Sequence, residues 1–341
     1  MKGVFVMNQR FPCFLAVLLT AGSMAAWGQF LPPAAKPSPP AKLKTWIPHR
    51  TADGQPDLQG TWTNASNTPL ERPQELGAKE FYTPQEFAEV SKKGFLGDRG
   101  GPQEVHYDFG QFGMDAMQSK FATNLRTSLI VGPEGRIPPM TPEALKRNAD
   151  RAAQGKGHEL DGPENRSLTE RCLVYAGLEG PPMLPPMYNN NMEIVQEPGT
   201  VAILNEMYHD VRIIPLDGRP HLPQNIRQWR GDSTGRWDGN TLLVDTTNFT
   251  NQTPFHGSSE NLHVVERFTR TSAQTILYEF TVDDPSTWAK PWTAQLVMGP
   301  ALGQIYEFAC HEGNYGLRNN LSGARAEERR AAEQATKNAP K

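Results

Sequence analysis

Cysteine is scarce, with three residues in a chain of 341. No Cys-x-x-Cys occurs, which disfavours a thiol redox motif and a zinc ribbon. Positive charge is in short supply too: 34 Lys and Arg stand against 37 Asp and Glu. No basic face is implied, so nucleic acid is not an expected partner. No phosphate loop or dinucleotide fingerprint is present, and Gly132-Pro133-Glu134-Gly135 reads as a turn. His209, His221, His256, His263 and His311 lie in one region, but no pair has diagnostic metal-ligand spacing. Neither a metal nor a cofactor is therefore expected. The apolar run Phe11 to Ala21 is too short for a comfortable membrane span.

That run has a different reading. Lys2 and Arg10 precede it, small residues follow it, and Ala26-Trp27-Gly28 fits a small-x-small cleavage site. Residues 1–28 are expected to be a signal peptide. The protein is then exported, periplasmic or extracellular, with no stable membrane insertion after cleavage. Cleavage removes two basic residues and leaves 32 against 37 acidic, a net charge of −5. Cys172 and Cys310 remain. They form either one bridge or two buried thiols. A bridge would close a long loop, worth on the order of 4–5 kcal/mol in the chain-entropy model.

Thirty prolines and thirty glycines announce many turns. Residues 29–45 form a Pro/Ala linker expected to be extended and disordered. Residues 46–321 are expected to make a single β-rich domain, in which 70–190 wrap as helices and loops. Thr83-Pro84-Gln85-Glu86 is a capping box whose helix stops at Gly94, and Thr141-Pro142-Glu143 opens a second helix ending near Gly155. Ser167-Leu168-Thr169-Glu170 caps a single turn ahead of Cys172. Residues 126–131 read as a strand. From Met192 the pattern turns to β, with strands expected at 192–197, 200–206, 210–216, 241–247, 262–270, 274–283, 292–298 and 304–310. Specific turns punctuate them, such as Asp217-Gly218 and Asp238-Gly239. Short strands at this spacing predict a mainly β fold, an antiparallel β-barrel or strongly curved sheet. The Gly60-Thr61-Trp62 start is lipocalin-like by analogy alone. Residues 322–341 read as a charged, flexible C-terminal tail.

Several blocks carry a resemblance. They include Arg126-Thr127-Ser128-Leu129-Ile130-Val131, the run Gly135 to Ala144, and Tyr188-Asn189-Asn190-Asn191. Leu216-Asp217-Gly218-Arg219-Pro220-His221, the run Gly235 to Leu242, and Ala309-Cys310-His311-Glu312-Gly313-Asn314-Tyr315 belong with them. Together they resemble a large exported family of acidobacterial and proteobacterial type, in order, over roughly residues 46 to 328. The family usually has Gly-Asp-Thr where this chain has Gly239-Asn240-Thr241, a mild change in a turn. The resemblance implies export and a shared fold, and it transfers no catalytic residue.

Strand parity selects the chemical candidates. In 262–270, Glu266 shares a face with Leu262, Val264 and Phe268. A carboxylate there is costly unless paired, so it is either a general acid or half of an ion pair with an arginine such as Arg236 or Arg219. Asp245 stands inside an apolar strand. His311 leaves a strand beside Cys310, an anchor that would hold it rigidly for acid-base work. Gly231-Asp232-Ser233-Thr234-Gly235 matches a nucleophile elbow, but Arg236-Trp237-Asp238-Gly239 and a strand follow where a helix is required, so Ser233 is set aside. The segment is read instead as a corner in which Trp237 seals the barrel end. Trp237, Arg236, Tyr188 and Tyr306 are the ligand-binding candidates.

The leading expectation is an exported barrel that binds a small or oligomeric, oligosaccharide-like organic ligand in its pocket. The alternatives are a hydrolase- or lyase-type enzyme using Glu266, Asp245 and His311, and an envelope interaction protein. Two of those three residues within about 8 Å in an enclosed pocket would favour the enzyme. A solidly packed barrel interior would sink both the binding and the enzyme ideas.

Overall fold

Alternation builds the wall. In His263-Val264-Val265-Glu266-Arg267-Phe268, the even-numbered side chains face one way, and Val264, Glu266 and Phe268 are completely buried. The neighbouring strand repeats the pattern with Ile276, Tyr278, Phe280 and Val282, all inward and buried. The computed structural model describes residues 46–92, 123–175, 180–186 and 188–339. The expected signal peptide, the expected linker and the expected helix stop at Gly94 fall outside the described residues.

The protein is mainly β. Nine strands form one sheet: β1 (Gly60–Thr63), β2 (Asn191–Glu197), β3 (Thr200–Asn205), β4 (Asp210–Pro215), β5 (Asp232–Asp238), β6 (Thr241–Thr247), β7 (His263–Ser272), β8 (Thr275–Asp283) and β9 (Trp292–Pro300). The order across the sheet is β4-β3-β2-β1-β9-β8-β7-β6-β5, and every paired neighbour is antiparallel. The sheet curls until its two edges meet, an almost closed antiparallel barrel.

The closure follows from counting. An odd number of strands cannot be antiparallel all the way round, so β4 and β5 run in the same direction where they meet. Side chains bridge this seam: Arg230 Nε lies 2.9 Å from Asp210 Oδ2, and Arg212 Nε donates to Ser233 Oγ at 3.1 Å. Gly235 sits opposite Ile214 and Leu216, and a Cβ there would come within 2.8 Å and 2.7 Å of their side chains. The glycine is what lets the seam close.

The sequence pattern does not announce β5. Its glycines and Asp-Gly turn suggest a corner, but Asp232–Asp238 pairs with Thr241–Thr247 throughout, joined by the tight turn at Gly239 (φ 59°). Cross-strand pairing overrides local turn preference here. The strand expected at 304–310 is the opposite case. These residues are irregular, and the Tyr306 amide turns to the Glu206 carboxylate at 3.4 Å in place of a ladder partner. Residues 126–131 make only isolated bridges, Arg126 to Phe81 and Ile130 to Ala294. β1 pairs with β9 only through Trp62 and Thr63, opposite Pro300 and Gly299. The segment 129–131 takes up the free edge beside it through Val131 N to Thr293 O and Gln295 N to Leu129 O.

Three α-helices lie among the described residues: α1 (Pro84–Lys92), α2 (Pro142–Gly155) and α3 (Tyr315–Asn338). The capping box at α1 forms as the sequence predicts, with Glu86 N donating to Thr83 Oγ1 at 3.2 Å and Thr83 N donating to Glu86 at 2.8 Å. Thr141 caps α2 through the Ala144 amide at 3.1 Å. The C-terminal segment is one long helix that buries no residue. The Cys172–Cys310 disulfide ties the chain just ahead of it, with 5.6 Å between the Cα atoms. Arg325 adds a second tie through hydrogen bonds to the carbonyls of Asp161 and Leu160 at 2.7 and 2.9 Å. No helix among the described residues is long and apolar enough to cross a membrane.

Inside the barrel, Phe268, Tyr278, Phe280, Trp292, Ile203, Ile214, Ile194 and Met192 form one core. The segment 180–186 enters it from outside the sheet. Met183 and Leu184 are buried in that same core, and the Met183 amide donates to the Tyr278 hydroxyl at 2.9 Å.

Candidate functional site

Two carboxylates on adjacent strands define the chemistry of the wall. Val244 pairs with Glu266, and Asp245 pairs with Val265. Glu266 and Asp245 therefore face opposite sides of the same sheet.

Glu266 faces inward and is wholly buried. Its partner is Arg212 of β4, not Arg236 or Arg219. Arg212 Nη1 donates to Glu266 Oε1 at 3.0 Å, and Nη2 engages Oε2. The correction follows from parity. Arg212 alternates with Ile214 and so points into the barrel, whereas Arg236 lies on the exposed face and Arg219 is taken by Asp217. Tyr278 donates to Glu266 Oε1 at 2.7 Å, Arg212 Nη2 reaches Thr246 Oγ1 at 3.1 Å, and Thr246 and Ser233 share a hydrogen bond of 2.9 Å. The polar atoms of this network satisfy one another. Burial, and after it the Glu266 charge, holds the Tyr278 phenol well above the usual range. The group is built as a strut.

Asp245 faces outward and remains partly exposed. It sits between two imidazoles: Oδ2 lies 3.0 Å from His263 Nε2 and Oδ1 lies 2.9 Å from His221 Nε2. His221 Nδ1 lies in turn 3.0 Å from Asp232 Oδ2. The four side chains are 18 to 39% exposed. The result is a chain His263–Asp245–His221–Asp232 across the outer face of β7, β6 and β5. The hydrogen bond from His263 is the main cause that holds the Asp245 carboxyl below its usual value, against the opposing effect of burial. The same hydrogen bond raises the His263 imidazole.

His221 comes from the crossover 216–231, which must return the chain from the end of β4 to the start of β5. Asp232 accepts the Leu222 amide at 2.8 Å, and the Asn248 amide group donates to the carbonyls of Leu222, Pro223 and Ile226 at 2.8, 3.2 and 3.1 Å. The crossover is thereby fastened to the outer wall, and it presents Leu222, Ile226 and Trp229 at 40, 45 and 40% exposure.

The three acid-base candidates do not assemble. Glu266 is inside, Asp245 is outside, and His311 is an exposed residue next to the disulfide. The ligand-binding candidates are similarly dispersed. Trp237 packs inward against the core at the far end of β5, and its neighbour Arg236 is exposed on the other face. Tyr188 and Tyr306 are exposed, at 40 and 62%. No group of three or more His, Cys, Asp or Glu among the described residues could hold a metal ion. Sequence reasoning misses three side chains in their roles. It presents His221 and His263 only as possible metal ligands, and Asp232 only as part of a turn. The parity of His263 with Val265, outward across from Asp245, is the signal that could have found them.

No family model matches this chain, and no curated protein does. Among solved structures it is similar to a secretory abundant heat soluble protein of Ramazzottius varieornatus, at 13% identity over 34% of this chain and 78% of that one, with a TM-score of 0.23. It is also similar to a mutant of the fluorescent protein UnaG, at 12% identity over 33% of this chain and 72% of that one, with a TM-score of 0.21. Likenesses this low carry no argument about the activity of this chain. The functional reading rests on its own side chains.

Proposed function

We propose that this is an exported barrel protein that binds a small organic ligand on its outer wall, against the His263–Asp245 pair and the crossover 216–231. The observation that carries the reading is the partly exposed His–Asp chain lying beneath a loop that also exposes Leu222, Ile226 and Trp229. Polar groups of fixed orientation beside apolar surface are what a small-ligand site requires. The barrel centre offers less. Its inward side chains and the Met183-Leu184 segment form one apolar core, and the Glu266 carboxylate within it is already engaged by Arg212 and Tyr278. Ligand binding therefore moves from the centre to the wall. The acidic side chains Asp232, Asp245 and Asp283 favour a neutral hydroxyl-bearing or cationic ligand over an anionic one. Export is supported by the signal-like start, by the Cys172–Cys310 disulfide and by the exported family that the sequence blocks resemble.

An NMR screen of hydroxylated and amine-bearing small molecules tests this. Binding should move the Trp229 indole and His263 ring signals together, and His263→Ala should abolish it. Hits whose shifts cluster at any other surface would sink the reading.

A second reading has its own support. Asp245 orients His263 Nε2, which leaves Nδ1 as the free nitrogen of an Asp-held imidazole, the arrangement of a general base. His263 would take a proton from water as the water attacks an electrophilic carbon of the bound ligand. Turnover of a bound ester that His263→Gln abolishes without loss of binding would support catalysis. Equal turnover by the variant would dismiss it.

A further inference from the structure

His221 is bonded at both ring nitrogens to carboxylates, Nε2 to Asp245 at 2.9 Å and Nδ1 to Asp232 at 3.0 Å. A carboxylate only accepts, and a neutral imidazole has one N–H to give. One of the two contacts would then set a nitrogen lone pair against a carboxylate oxygen. Both contacts are hydrogen bonds only in the imidazolium form. The geometry points to a proton-dependent clamp: the crossover 216–231 is fastened to the outer wall while His221 carries two ring protons and is released when one is lost. This rests on the ligand-site reading only where it concerns regulation, since the loop it fastens carries the proposed ligand face.

The surroundings support the assignment from every side. Asp245 comes from β6 and Asp232 from β5, and His263 on β7 reaches the clamp only through Asp245. On β8, Asp283 lies near His263. Within the loop, Arg219 is paired with Asp217 and also feels Asp232. Arg227 pairs with Glu260 near the far end of the loop, and Arg230 pairs with Asp210. Each nearby arginine thus has a carboxylate of its own, and His221 is the basic side chain that lies between Asp232 and Asp245. Loss of its proton leaves one of the two carboxylates facing a nitrogen lone pair and loosens the contact of the Leu222 amide with Asp232. The Asn248 hydrogen bonds remain, so release is local and the fold persists.

Hydrogen exchange on the ligand-free protein tests this, with rates corrected for intrinsic pH dependence. Protection of the Leu222 amide, which donates to Asp232, should fall about tenfold or more between roughly pH 5 and pH 8. His221→Gln should show no such change across the range. Asp245→Asn is the decisive variant. Its amide can donate to a neutral His221 while its carbonyl still accepts from His263, so the loop should stay protected at the higher pH. Protection that is independent of pH in the natural protein overturns the clamp, as does an unchanged pH response in Asp245→Asn. Neither result depends on whether a ligand binds. Failure of the ligand screen with the pH response intact would therefore dismiss the binding reading alone.

Discussion

Glu266 and Asp245 stand one step apart in register on neighbouring strands, and the sheet separates them. The inner carboxylate meets a guanidinium, which cannot lose its proton at ordinary pH, together with a phenol held by burial. The outer one meets two imidazoles, the side chain whose charge changes near neutrality, in partial contact with water. One wall therefore carries a permanent strut on one face and a proton-sensitive relay on the other. The type of partner and its access to water decide which. A carboxylate inside a strand is not by itself a functional sign.

The largest effect is expected at the strut. Arg212→Met leaves Glu266 buried without its cation and should cost about 3–5 kcal/mol in urea unfolding. A loss below about 1 kcal/mol would erase the contrast between the faces. Replacing both partners, as Arg212→Met with Glu266→Leu, should restore at least about 2 kcal/mol of that loss, because no charge is then left buried. At the nearby seam, Gly235→Val should cost about 1–3 kcal/mol through overpacking against Ile214 and Leu216.

The smallest change in stability belongs to the outer face. Asp245→Asn should cost under about 1 kcal/mol near neutral pH, since the pair is partly solvated. Its effect is on the pH profile. The Asp245 carboxyl is held below its ordinary value, so its stabilisation is present above the unfolded value near ~3.9 and is lost as pH falls through the lower folded value. The His263 imidazole is raised, so its stabilisation is complete below the unfolded value near ~6.5 and is lost as pH rises through the higher folded value. The natural protein should therefore show a plateau between those limits, and Asp245→Asn should flatten both shoulders. A profile identical to that of the natural protein would count against the relay as a titrating unit.

The wall itself was legible because its code is local. Alternation placed Glu266 among Val264 and Phe268, and seven of the eight strands expected from Met192 onward formed, with ends shifted by a residue or two. β5 was hidden because Gly231, Gly235 and Gly239 look like turn residues, while the role of Gly235 is set by a strand on the other side of the crossover. The partners of the carboxylates were hidden for the same reason. Arg212 meets Glu266 only after the barrel curls, and His221 meets Asp245 only after the crossover folds back. Parity gives the face a side chain occupies. It gives no information about what lies opposite until the order of strands is known.

The parallel seam between β4 and β5 has a mechanical consequence. Every other joint in the barrel except the short β1–β9 contact is a full ladder of backbone hydrogen bonds, whereas this one is a zip of side chains. Breathing motions should part the wall there first, exposing the strut to water before the ladders yield. The crossover 216–231 spans that joint from outside, in the manner of a hasp across a door, and whatever loosens the hasp governs how often the door can open.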